Sequence, residues 1–257
     1  MTAVLPAIEV ETSAAPRYAV IWLHGLGADG SDFEPVIPHL GLAASPAIRF
    51  VFPHAPEMPV TCNGGYIMPA WYDIISLEPE SRRIDEAGIV RSRDAIRALI
   101  ARENLRGIPS ERIVLAGFSQ GGAVAYATAL THAEPLAGLI ALSTYLPVTD
   151  LVRAEASEAN RRIPIFVAHG TEDDVVSPAL GRAAFDFLTD EGYRPVWHDY
   201  PMSHAVCLEE IIAIGEWLKA RFSSPDRDQA LIQLGFAPRA NARVLVSRHA
   251  STTFRQV

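Results

Sequence analysis

Short apolar runs alternate along this chain with longer segments of helical spacing. Residues 18–23 (Tyr-Ala-Val-Ile-Trp-Leu), 48–52, 113–116, 139–142, 163–168 and 196–200 read as strands. Several are continuously apolar, as in a sheet covered on both faces. Between them, residues 85–106 place Ile89, Ile96, Leu99 and Ile100 on one helical face and Arg91, Arg93, Asp94 and Arg97 elsewhere, with Gly107 and Pro109 to stop the helix. Ser177-Pro178 opens another helix, as cap and first-turn proline. Residues 206–222 form a last one, with Ile211, Ile212 and Leu218 inward. Ser31 or Asp32 is placed to cap a helix running to about Leu40. This alternation predicts an α/β fold, a mostly parallel sheet with helices on both faces. Only one helix fits between the strands at 139–142 and 163–168, so no separate lid domain is expected there.

Two segments break the rhythm. Residues 53–73 connect a strand to the next helix through four prolines, Gly64-Gly65 and Trp71-Tyr72. A connection this long in a compact domain is usually functional, and its aromatics with Met58 and Met68 suit the wall of an apolar cleft. The plainer alternative is a surface loop packed on itself. After Ser223 the chain turns to Ser-Ser-Pro-Asp-Arg-Asp and a weakly patterned stretch rich in Arg and Ala. Residues 1–222 are therefore read as one domain, 1–16 being a leader or edge strand, and 223–257 as a poorly packed extension.

Composition narrows the partners. In 257 residues, 22 Lys+Arg against 30 Asp+Glu leave a net charge of −8, the wrong sign for a nucleic-acid binder. Cys62 and Cys207 fit no pairing rule, and no secretory signal is read at the start of the chain, which together suggest free thiols in a cytoplasmic protein. No apolar run approaches a membrane span.

The chemistry centres on Gly117-Phe118-Ser119-Gln120-Gly121, between an apolar strand and an alanine-rich helical segment. The five-residue pattern alone arises by chance in a chain of this length about one time in ten. Its strand–turn–helix context is what a nucleophile elbow needs. Acyl transfer also requires a base and an acid to orient it. Of the eight histidines, only His198, His204 and His249 follow both the elbow and an acidic cluster, Glu172-Asp173-Asp174. His198 lies inside a strand and His249 in the extension, so His204, on a strand-to-helix loop, is the candidate base. Spacing does not choose among the three acids. The oxyanion hole would take one N–H from Gln120 and another from the loop His24–Gly30 around Leu26. His24 and His169, each before a glycine, are read as structural, and no metal-ligand spacing is present.

With His24-Gly25-Leu26-Gly27-Ala28-Asp29-Gly30, Pro59-Val60-Thr61, Asn63-Gly64-Gly65, Ala70-Trp71-Tyr72-Asp73-Ile74, Gly117-Phe118-Ser119-Gln120-Gly121-Gly122-Ala123, His169-Gly170-x-x-Asp173 and Tyr200-x-x-x-His204, the chain resembles the small carboxylesterase/acyl-protein thioesterase family over roughly residues 17–222. The resemblance implies a lidless α/β-hydrolase, often dimeric and without a cofactor. It assigns Ser119 as nucleophile, Asp173 as acid, His204 as base, and the Leu26 and Gln120 N–H groups as oxyanion donors. The extension departs from the family pattern. Three functions are in view. The first is a carboxylesterase for short to medium acyl esters, with Leu26, Trp71 and Met68 against the substrate. The second is a thioesterase or lysophospholipase for long acyl chains. The third is a hydrolase-like binding module without turnover.

Overall fold

The computed structural model describes residues 4–42, 47–76, 83–222 and 253–254. Strands β1 (Ala7–Glu11), β2 (Tyr18–Leu23) and β3 (Ile48–Pro53) lead into two small hairpins, β4 (Glu57–Val60) with β5 (Tyr66–Pro69) and β6 (Ile74–Ser76) with β7 (Arg83–Ile84). Then come β8 (Ile113–Phe118), β9 (Gly138–Leu142), β10 (Ile165–Gly170) and β11 (Pro195–Tyr200). Seven strands form the main sheet in the order β1-β3-β2-β8-β9-β10-β11, all parallel except β1, which runs antiparallel to β3. The leader is thus an edge strand. Within it, Glu11 pairs with Arg49 of β3 at 2.9 Å, and Arg49 reaches the fully buried Glu103 at 2.6 Å. The buried carboxylate and guanidinium satisfy each other and tie the edge strand to the body.

The apolar runs of the sequence divide by alternation. Ala19, Ile21, Leu23, Leu115 and Val167 pack on one side against helix α1 (Glu86–Leu105) and helix α2 (Gln120–Leu130). Val20, Trp22, Phe50, Val114, Phe118 and Phe166 pack on the other. Helices α3 (Thr149–Glu155) and α4 (Pro178–Asp190) follow β9 and β10, so one short α-helix does fill that narrow gap. As expected, Ser177 caps α4, its hydroxyl accepting from the Ala179 N–H. Strand β12 (Val206–Cys207) precedes helix α5 (Leu208–Phe222), which covers the second side. Strand β13 (Thr253–Phe254) pairs antiparallel with β12, and the rest of the extension lies outside the described residues.

Four local expectations are corrected. The segment ending at Leu40 is a 3-10 helix, Glu34–Leu40, without a side-chain cap. Pro38, inside the segment, removes an N–H donor that an α-helix would use, and Ser31 bonds the Asp29 carboxylate instead. The last helix begins at Leu208 rather than 206, because Val206 and Cys207 are taken up in a ladder. In that helix Ile212 faces solvent and Ile214 takes its place inside. Arg93, placed off the apolar face of α1, is nevertheless buried, with its charge met by Glu155 at 2.6 Å.

Candidate active site

Strand β8 delivers Ser119 at its carboxyl end with φ 53° and ψ −121°, a conformation that costs a non-glycine residue strain. Its backbone is held from the next strand: the Ser119 N–H donates to the Leu142 carbonyl at 2.9 Å. The flanking glycines serve close approach. A Cβ on Gly117 would lie 2.4 Å from the Gly121 carbonyl oxygen, and one on Gly121 would lie 2.4 Å from that of His24. Helix α2 can therefore start directly against the end of β2. All eleven of its residues are buried, which explains an alanine-rich sequence apolar on every face.

The loop between β11 and β12 brings His204 over the serine. Ser119 Oγ lies 2.9 Å from His204 Nε2, and His204 Nδ1 lies 2.8 Å from Asp173 Oδ2. With the carboxylate as acceptor, Nδ1 carries the proton and Nε2 is free to accept from the hydroxyl. The ring leans on Phe118 at 4.7 Å between centroids. Of the three acids left open by spacing, Asp173, the one that meets His204, is inside, whereas Glu172 and Asp174 are exposed. Asp173 Oδ1 accepts from the N–H groups of Val175 (3.0 Å) and Val176 (2.8 Å). Burial alone would raise its pKa, but hydrogen bonds from His169, His204 and the Val176 N–H prevail and hold the carboxyl well below its usual range. His169, read as structural, bonds the Val176 carbonyl at 2.8 Å and lies 3.4 Å from Asp173 Oδ2, so it backs the turn that carries the acid. His198, in β11, instead stacks on Phe166 of β10, and His249 lies outside the described residues.

On the other side of Ser119 stands the His24–Gly30 loop. The N–H groups of Leu26 and Gln120 make no hydrogen bond to another described residue. His24 Nε2 accepts from the Ala55 N–H at 3.1 Å, so Nδ1 bears the proton and donates to the Gly25 carbonyl at 2.7 Å. Burial pushes the pKa of His24 down to about 4, keeping it neutral and able to play both parts. Trp71, expected on the cleft wall, is 1% exposed. Its indole N–H donates to the His24 carbonyl at 2.8 Å. It is a brace in the core rather than an exposed wall.

Pattern reading treated Gln120 as a backbone donor alone and missed its side chain. That amide accepts from the Trp71 N–H at 2.8 Å and donates to the Tyr72 carbonyl at 2.7 Å, pinning the long connection to the elbow. Such a bond spans 49 positions and leaves no local trace. Leu26 and Met68 are half-buried, and a Cβ on Gly27 would lie 3.7 Å from Met68 Sδ, so the β4–β5 hairpin flanks the loop. Tyr66 and Ile67 at its tip are exposed.

A parallel sheet with a strained serine at its elbow and with histidine and carboxylate in line is the architecture of an α/β-hydrolase. Comparison with known proteins agrees. A model of the Phospholipase/Carboxylesterase family matches residues 6–221. Acyl-protein thioesterase 1 of Neurospora crassa is 40% identical over 225 residues, 84% of this chain and 91% of that one. The protein of the same name from Mycosarcoma maydis is 40% identical over 226 residues, 82% and 94% of the two chains. Among solved structures, Arabidopsis thaliana SOBER1 superposes with TM-score 0.75 at 32% identity, covering 80% of this chain and 99% of that one. Zea mays acyl-protein thioesterase 2 gives 0.75 at 27%, covering 85% and 99%. The chain belongs to the Phospholipase/Carboxylesterase family, and it is a serine hydrolase of carboxylic esters. No helix among the described residues is long and apolar enough to cross a membrane.

Proposed function

We propose that the protein hydrolyses short- to medium-chain acyl esters through an acyl-enzyme on Ser119. The observation that carries this reading is the unbroken row Ser119 Oγ, His204 Nε2, His204 Nδ1 and Asp173 Oδ2, at 2.9 and 2.8 Å. His204 takes the hydroxyl proton as Oγ bonds to the substrate carbonyl carbon. The carbonyl electrons move onto oxygen, facing the Leu26 and Gln120 N–H groups. As the tetrahedral intermediate collapses, the C–O bond to the leaving alkoxide breaks and His204 returns the proton to it. Water then attacks the acyl-enzyme, giving a proton to His204, which passes it to Ser119 as the acid departs. Asp173 holds the productive tautomer and balances the imidazolium. Leu26 and Met68 line the acyl side.

Thioesters are the second reading, favoured by two 40% identical relatives named as acyl-protein thioesterases. The same chemistry serves both, since only the leaving atom differs. The family match ends at residue 221, in support of a catalytic unit of residues 1–222 with 223–257 appended. Two cysteines outside any disulfide suit a cytoplasmic setting, and the resemblance makes a homodimer part of the proposal, which sedimentation of the full chain checks. The deciding assay is hydrolysis of p-nitrophenyl esters of graded length beside matching acyl-thioesters, by wild type and Ser119→Ala. Loss of both activities, and of fluorophosphonate labelling, is expected in the variant. Undiminished turnover would remove Ser119 from its role, and a wild type that neither turns over nor labels would make the fold a binding module.

A further inference from the structure

Each proposed oxyanion donor belongs to a peptide whose opposite edge is gripped by a buried side chain. A trans peptide is planar, with its C=O and N–H pointing in opposite directions. Whatever holds the carbonyl therefore aims the N–H. The Gly25 carbonyl, paired in its peptide with the Leu26 N–H, receives His24 Nδ1 at 2.7 Å. The Ser119 carbonyl, paired with the Gln120 N–H, receives the hydroxyl of Thr144 at 2.6 Å.

Thr144 belongs to neither the proposed triad nor the oxyanion pair. It sits just past β9, after Ser143, whose φ of 43° turns the backbone back toward the elbow. Ser143 donates its N–H to the Ala168 carbonyl at 2.8 Å, and Ser119 donates its own to Leu142 at 2.9 Å, so the ends of β8, β9 and β10 are laced together at this level. Thr144 is 2% exposed and its single hydroxyl proton has one near acceptor, Ser119 O; the Tyr145 carbonyl is more distant at 3.5 Å. The N–H groups of Gly122 and Ala123 reach the same Ser119 oxygen at 3.0 and 3.3 Å. Those two bonds come from within the helix and turn with it. The hydroxyl is the grip from outside the helix, from the loop after β9.

We propose that Thr144 is a positioning residue of the reaction: by holding the Ser119 carbonyl it aims the Gln120 N–H at the oxyanion. This rests on the acyl-transfer reading of Ser119. Its side chain also touches Gly122, since a Cβ there would meet the threonine Cβ and Cγ2 at 2.6 Å. Packing and hydrogen bonding separate in two substitutions. Thr144→Val keeps the shape and removes the hydroxyl, and Thr144→Ser keeps the hydroxyl and removes the methyl.

The test measures kcat and KM on a p-nitrophenyl ester, melting temperature, and the amide resonance of Gln120 in ¹⁵N-labelled, substrate-free protein. Thr144→Val should lower kcat roughly tenfold with KM within about twofold, a part of the ~100- to 1000-fold lost with a whole donor. Its Gln120 resonance should move. Thr144→Ser should keep both near wild type, whatever it loses in melting temperature. Should the valine variant not fold, Thr144→Ala makes the same deletion in a smaller side chain. The inference is overturned if valine preserves kcat while serine lowers it, or if kcat falls with the Gln120 resonance unmoved. Ser119→Ala in parallel reports on the nucleophile, and the Gln120 resonance needs no turnover, so failure of either idea shows separately.

Discussion

Gly181 tests how firmly Asp173, the proposed acid, is supported from behind. It lies near the start of α4, and a Cβ there would stand 2.4 Å from His169 Nδ1 and 2.8 Å from Cε1. Ordinary contact begins near 3.4 Å, so Gly181→Ala must drive the ring or the helix back by about 1 Å. The ring has little room to yield. It is tied to the Val176 carbonyl at 2.8 Å and stacked on Trp197 at 6.0 Å, and Arg182 caps that indole at 4.0 Å. Overpacking of this kind costs about 1–3 kcal/mol. The better helix propensity of alanine returns at most ~1 kcal/mol. A net loss of about 1–2 kcal/mol corresponds to roughly 2–8 °C in a domain of this size. Because His169 lies 3.4 Å from Asp173 Oδ2, the displacement also reaches the acid. A shift of about 1 Å can cost up to ~100-fold, and a kcat about tenfold below wild type is expected. Thermal unfolding and ester hydrolysis on the same preparation read both effects. An alanine variant that melts no lower and turns over as fast would refute the reasoning, showing that the helix moves without cost.

Asp173→Asn should cut kcat by about four orders of magnitude. Its oxygen stays on the Val175 and Val176 N–H groups, so its NH₂ faces His204 and selects the tautomer unable to accept from Ser119. A loss under about tenfold would show that the acid does not set the tautomer. His24 makes stability depend on pH: with its folded value at about 4, the unfolded chain takes the proton first as pH falls below 6.5. Stability is then lost between about 6.5 and 4, by about 2–3 kcal/mol. Glu210 acts in the opposite sense, since burial raises it to about 8 and the folded state gains as pH falls from 8 toward 4.5. Urea unfolding of Glu210→Gln at pH 7 and 4.5 should therefore expose the slope of the buried histidines, His24 together with His132 and His198, which burial also lowers, and equal stability at the two values would contradict it.

How much of this was legible in the chain differs by element. Alternation of continuous apolar runs with amphipathic segments sufficed for the doubly covered parallel sheet, because burying both faces of a strand leaves a signature in consecutive residues. That Ser119, the acidic cluster and His204 come together at one edge was equally readable, since strand ends in such a sheet gather there. Local chemistry misled where it had competition: Ser31 and Asp32 look like caps, but Ser31 bonds Asp29, and Pro38 denies an α-helix one of its donors. The choice of Asp173 over Glu172 and Asp174 required burial and two backbone donors. The grips of Gln120 on Trp71 and of Thr144 on Ser119 required contacts 49 and 25 positions apart. Periodicity records which face of an element meets the core. It carries nothing about which distant carbonyl a buried amide or hydroxyl will find, because that pairing depends on a distance which exists only once the strand ends have been brought together.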